Sequence, residues 1–111
     1  LFRSILDAGC MSGFLYHHLK NHLQDFEYTG MDTWEEALQI GREYAPGINL
    51  VNGDFTKDKV GMFDYVVCSN IPWQKVDIRA AYQNLIAQAR RQLIFIHPGS
   101  KIEIFESQHP G

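Results

Sequence analysis

Three aspartates occupy comparable places in the chain, each at the end of an apolar run and close to glycine. Asp7 lies in Leu6-Asp7-Ala8-Gly9-Cys10-Met11-Ser12-Gly13. Asp32 closes Gly30-Met31-Asp32, and Asp54 stands between Asn52-Gly53 and Phe55. A Gly-rich turn between a strand and a helix lets a ligand approach the backbone closely. A carboxylate nineteen residues after Gly13 can accept hydrogen bonds from the two hydroxyls of a ribose. Asp54 and Phe55 add an acid and an aromatic at the same edge. Together these residues predict a ligand crevice outside the carboxyl ends of parallel strands, the usual binding place in open α/β sheets.

Placing them there requires alternating strands and helices. The β-like runs are Ser4–Asp7, Glu27–Asp32, Ile48–Asn52, Phe63–Cys68 and Leu93–His97, the last stopped by Pro98-Gly99. Near-continuous apolar runs suit parallel strands covered by helices on both faces. Phe14–Gln24 carries Leu15, Leu19 and Leu23 at helical steps. Thr33–Tyr44 opens with Thr33 and Glu36 in capping-box spacing. Its expected apolar face is Ala37, Ile40 and Tyr44, and Pro46 follows its end. Asp77 can cap a helix whose stripe is Ile78, Ala81, Tyr82, Leu85, Ile86 and Ala89. The pattern is an α/β parallel sheet. In the order 3-2-1-4-5 the third and fourth strands lie three spacings apart, roughly 14 Å. The nine residues from Asp54 to Met62 can span that gap, since they reach roughly 30 Å when extended.

Composition bounds the function. The chain has 111 residues, 45% hydrophobic and 21% charged, with a formal net charge of −3 and a pI near 5.9. That is one globular domain, without an apolar run long enough to cross a bilayer. A phosphate-gripping surface would be basic, so nucleic acid is disfavoured as a partner. Cys10 and Cys68 cannot build a disulfide framework. The first residues lack a basic-then-apolar leader pattern, and a cytoplasmic domain is the default expectation.

The chain resembles the Rossmann-like S-adenosylmethionine-dependent methyltransferases. The resemblance rests on Asp7-x-Gly9-Cys10-x-x-Gly13, Gly30-Met31-Asp32, Asn52-Gly53-Asp54 and Phe63-Asp64-Tyr65-Val66-Val67-Cys68-Ser69-Asn70. It covers nearly the whole of residues 1–111 and implies a three-layer fold that stops short of the family's usual sixth and seventh strands. The resemblance therefore implies a partial version of the domain. It also implies S-adenosylmethionine as cofactor. Asp7 would organise the turn and the methionine amino group, Gly9 would let the backbone pass the methionine moiety, and Ala8, Cys10 and Gly13 would belong to the same cofactor-binding turn. Asp32 would hold the ribose, Thr33 would lie against the adenine, and Asp54 with the Phe55 backbone would read its edge. Ser69 and Asn70 close the site at the end of strand four. The family often has glycine where this chain has Met11. A dinucleotide-binding domain shares the turn and Asp32, but it wants G-x-G-x-x-G and has no need of Asp7.

The acceptor is open at this level, and a small molecule is the first expectation. Asn70-Ile71-Pro72-Trp73 matches in type and place the Asn/Asp-x-Pro-aromatic motif of amino-group methyltransferases acting on nucleobases or protein amides. There the amide orients an amine and the aromatic stacks on a base. Against this, Pro72 can simply shape the turn and Trp73 cover the pocket. A non-catalytic cofactor-binding module is the third alternative. No general base is evident, although His97 ends strand five. His17, His18 and His22 lie on one helix, but nothing completes a metal site. Arg90 and Arg91 fit a helix end, Tyr16 and Tyr82 fit packing, and Trp34 flanks either the adenine or the helix start.

Overall fold

The computed structural model describes residues 3–69, 71–72 and 74–109. In chain order these form β1 (Arg3–Ala8), α1 (Phe14–Lys20), β2 (Phe26–Asp32), α2 (Glu35–Tyr44), β3 (Leu50–Asn52), β4 (Phe63–Ser69), α3 (Ile78–Ile86), β5 (Ala89–Ile96) and β6 (Ile102–Glu106). The strands make one sheet in the order β3-β2-β1-β4-β5-β6. Pairing is parallel through β5, and β6 runs antiparallel to it. The order of the first five strands is the one expected from sequence.

The sixth strand is not. Ile102-Glu103-Ile104-Phe105-Glu106 alternates in the period of a strand, and a hairpin turn at Pro98-Gly99 returns it onto β5. Phe105 packs against Phe95 and Tyr82 on the α3 side, with ring centroids 5.5 and 5.0 Å away. Ile102 and Ile104 point to the other face and stay 56% and 55% exposed. The three layers therefore thin toward this edge.

Two core clusters lie on opposite faces of the sheet. Leu6, Ala8, Met31, Val66, Cys68, Leu85, Leu93 and Phe95 pack on the α3 side. Tyr28, Cys10, Leu38 and Leu50 pack on the side of α1 and α2, with Tyr16, Phe26 and Ile48 against them. Cys10 and Cys68 thus belong to different clusters, and both are free thiols.

Several element ends differ from expectation, each for a local reason. α1 stops at Lys20, because the Asn21 and His22 N–H groups turn back to His18 and Leu19. α2 has no capping box: Trp34 is its N-cap and makes no side-chain cap bond. Instead Asp32 Oδ1 accepts from Trp34 N at 2.9 Å. Its buried face is Ala37, Leu38 and Gly41, whereas Ile40 and Tyr44 are 60% and 78% exposed. Gly41 sets this rotation, because a Cβ there would stand 2.5 Å from Ser12 O. β3 is shorter than expected, beginning at Leu50. α3 ends at Ile86, and Ala89 already belongs to β5, paired with Phe63. Arg90 and Arg91 therefore lie on a strand and not at a helix end. The Asp77 cap is as expected, its carboxylate accepting from Arg79 N and Ala80 N at 3.0 and 3.2 Å.

The short crossover from β3 to β4 holds one helical turn, with Asp58 N donating to Asp54 O at 2.8 Å. Polar side chains of α3 and of the turn after it anchor it. Asn84 Nδ2 donates to Phe55 O and Asp58 O at 2.9 and 2.7 Å. Gln88 Oε1 accepts from Val60 N at 2.8 Å. These pairs satisfy part-buried backbone groups that no strand or helix reaches.

Candidate functional site

β1 ends at Ala8, and the chain turns through Gly9, with φ of 80°, and Gly13, with φ of 94°, into α1. Glycine is the residue for such left-handed positions. Met11 also sits there, with φ of 54°, which for a residue with a Cβ costs roughly 1–2 kcal/mol. The glycine more usual at this place in the resembled family has a plain conformational reason. Asp32 offsets part of the strain, since its Oδ2 accepts from Met11 N at 2.8 Å. Gly9 N and Cys10 N both donate to Met31 O, at 2.7 and 3.0 Å. The turn is thus fastened to the end of β2.

Beside it lies a hollow of about 400 Å³, lined by Asp7, Gly9, Cys10, Asp32, Thr33, Phe55 and Ser69 together with Met11, Phe14, Leu15, Ile71, Pro72 and Val76. A second hollow of about 300 Å³ shares Asp32, Thr33, Phe55 and Val76 and adds Gly53 and Asp54. Their sizes suit a small-molecule site. The expected aspartates from three strand ends therefore line two adjoining hollows that share Asp32, Thr33, Phe55 and Val76, and the two together form the crevice.

Ala8 and Gly13 line neither hollow. Ala8 packs into the α3-side core. At Gly13, a Cβ would meet Ile48 Cδ1 at 2.9 Å, so its closeness serves packing of the turn. Asn70 and Trp73, the amide and aromatic of the amine-holding motif, lie outside the described residues, whereas Ile71 and Pro72 line the crevice.

The first hollow carries two carboxylates and, among the described residues, no cation in its lining, whereas Lys75 stands on the wall of the second. Burial pushes the Asp7 carboxyl up to about 6, Asp32 adds to the rise, and a hydrogen bond from Tyr28 opposes it. Burial, and then the nearby Asp7 and Asp32 charges, push the Cys10 thiol up. Burial raises Cys68 as well. Neither cysteine is a nucleophile at neutral pH. Asp54 is held below its usual range by the Thr56 hydroxyl and N–H, at 2.7 and 2.9 Å from Oδ1.

The other candidates have structural partners. His97 Nε2 lies 2.6 Å from Glu103 Oε1. His22 Nδ1 meets His18 O at 2.9 Å, and no metal-holding cluster occurs among the described residues. Tyr16 and Tyr82 pack in aromatic clusters, and Trp34 starts α2 half exposed. Sequence reasoning missed Tyr28. Its hydroxyl donates to Asp7 Oδ2 at 2.6 Å. The spacing Tyr28-x-Gly30 carried the signal, because residues two apart on a strand share a face.

No helix among the described residues is long and apolar enough to cross a membrane. Comparison with curated protein sequences gives no match. Among solved structures the chain is similar to CalS10, an amino pentose methyltransferase from Micromonospora echinaspora with S-adenosylmethionine bound. That match has TM-score 0.75 and 21% identity over 92% of this chain and 47% of that one. DesVI from Streptomyces venezuelae gives TM-score 0.74 and 21% identity over 90% and 46%. The plantazolicin methyltransferase BpumL, in complex with a desmethyl analogue and SAH, gives 0.75 and 18% over 86% and 38%. The chain spans about half the length, or less, of these structures. The family model described as Methyltransferase domain matches residues 5–93. That is most of the chain, which therefore belongs to the methyltransferase-domain family, whose cofactor is S-adenosylmethionine.

Proposed function

We propose that this chain supplies the S-adenosylmethionine-binding part of a methyltransferase that acts on a small-molecule acceptor. The observation that carries the reading is the placing of Asp7, Asp32 and Asp54 along two adjoining hollows beside a Gly-rich turn, with Asp32 on the wall of both. The crevice fits the group chemically. Asp7 Oδ1 makes no hydrogen bond among the described residues and can accept from an ammonium. Asp32 uses one site on each oxygen for Met11 N and Trp34 N, which leaves lone pairs for ribose hydroxyls. Thr33 and Val76 flank the space between the two hollows, where a flat base would lie. Asp54 Oδ2 and the backbone at Phe55 can read its polar edge. The cofactor supplies a methyl group on a sulfonium, open to in-line displacement. The chain's own contribution is to orient the donor and exclude water from it.

The small-molecule preference rests on the net charge of −3 and on the amino pentose acceptor of the similar CalS10. A second reading, methylation of an amino group through Asn70-Ile71-Pro72-Trp73, is favoured by the placing of Ile71 and Pro72 on the crevice wall. Methyl transfer from labelled cofactor to amino sugars, small amines, nucleobases and glutamine- or asparagine-containing peptides tests both. Transfer to sugars or small amines supports the first reading, and transfer confined to nucleobases or protein amides supports the second. Cofactor binding without transfer to any of them would make the chain a binding module.

A further inference from the structure

Tyr28 and Asp7 face each other through a gap left for them. In the parallel register of β1 and β2, Tyr28 lies opposite Ile5, and Gly30 lies opposite Asp7. The Tyr28 ring leans along its own strand, across Gly30, to reach the carboxylate at 2.6 Å. A Cβ on Gly30 would stand 2.9 Å from the hydroxyl and 2.8 Å from Cys10 Sγ. Only hydrogen fits at position 30 with the hydroxyl in place. Tyr16 fixes the ring from the other side, centroid to centroid 5.2 Å. Both members of the pair are buried, Asp7 at 2% and Tyr28 at 6% exposure. Asp7 nonetheless lines the crevice.

We propose that Tyr28 is a positioning residue: its hydroxyl fixes the Asp7 carboxylate toward the crevice and sets the acid limit of cofactor binding. The inference rests on the reading that Asp7 accepts from the cofactor's ammonium. The groups facing Asp7 are Tyr28 and Asp32 from β2, Cys10 from the turn and Cys68 from β4. None is a cation. The Tyr28 hydroxyl donates to the charged form of Asp7 and favours it, whereas burial and Asp32 oppose that form. When Asp7 takes up a proton, it loses its attraction for an ammonium. Removing the hydroxyl moves that loss to higher pH.

The test is calorimetric titration of S-adenosylhomocysteine into wild type, Tyr28→Phe and Asp7→Asn between about pH 5 and 8, a window chosen around the raised carboxyl. Wild-type affinity is expected to fall as the pH drops through about 6. In Tyr28→Phe the midpoint should rise by roughly half a pH unit or more, equivalent to about a threefold loss of affinity near the midpoint. Asp7→Asn should bind weakly with a flat profile. Carbon-13 NMR of the Asp7 carboxyl, without ligand, follows the same protonation and should show the same upward move. An unmoved midpoint in both measurements overturns the proposal. A moved NMR midpoint with pH-independent binding instead overturns the reading of Asp7 as the ammonium partner. Should Tyr28→Phe not fold, 3-fluorotyrosine at position 28 keeps the shape and makes the phenol a stronger donor. It should move the midpoint down, and an unchanged midpoint overturns the proposal equally.

Discussion

Asp32 Oδ2 accepts the Met11 N–H at 2.8 Å and so ties the end of β2 to the turn after β1. Its other oxygen holds the start of α2 through Trp34 N at 2.9 Å. One carboxylate therefore shapes the turn, starts a helix and faces the crevice.

Asp32→Ala should consequently weaken two things at once. Cofactor affinity should fall by ~1–3 kcal/mol, the range for a charged hydrogen-bond partner, and folding stability should fall as well. Met11→Gly separates the roles. It relieves the left-handed backbone, offset partly by the greater freedom of glycine in the unfolded chain, for a net gain of about 0.5–1 kcal/mol. Urea melts of both variants and calorimetry with S-adenosylhomocysteine check the pair of expectations. A destabilised Met11→Gly would contradict the strain argument.

Asp7→Asn should stabilise the fold while removing cofactor affinity. Burial raises the Asp7 carboxyl to about 6 from 3.8, so the folded state binds this proton more tightly than the unfolded state. The associated stability is fully present below about pH 4 and is lost as the pH rises through about 6. Asparagine is neutral throughout. The variant should match wild type near pH 4 and exceed it at pH 7 by roughly 2–3 kcal/mol, since one pH unit corresponds to ~1.4 kcal/mol. Thermal melts at the two pH values give the comparison.

Most of the scaffold was legible, and the exceptions are instructive. The apolar runs at Ser4–Asp7 and Phe63–Cys68, the Asp77 cap and the strand order all follow from periodicity and short-range chemistry. The face of α2 did not, because Ala37, Ile40 and Tyr44 make as good a helical stripe as Ala37, Leu38 and Gly41. Gly41 carries no hydrophobic signal; what decides is its approach to Ser12 O. Residues 87–92 suit a helix locally, and the parallel pairing of β5 with β4 overrides that preference. At the site, the residue types at strand ends were readable. The Tyr28–Asp7 bond was not read, since it depends on the register that sets Gly30 opposite Asp7.

Asn84→Ala should loosen the far end of the crevice. Its amide holds Phe55 O and Asp58 O, and its oxygen accepts from Lys59 Nζ at 2.9 Å. Losing these part-buried bonds should cost about 1 kcal/mol or somewhat more. The urea midpoint should fall, and cofactor affinity with it. An unchanged midpoint would show that the crossover does not depend on α3.

Cys10 and Cys68 should react slowly with a thiol reagent in the native protein at neutral pH, because burial keeps both protonated. Unfolding in denaturant should release two thiols. Fast native modification of either would contradict its place in the core.

A crystal structure of the chain with S-adenosylhomocysteine tests the central claim most directly. The account predicts the ammonium within hydrogen-bond reach of Asp7, the ribose hydroxyls on Asp32 and the base between Thr33 and Val76 with its edge toward Asp54. A ligand seated elsewhere, or a crevice that stays empty at saturating ligand, would contradict it.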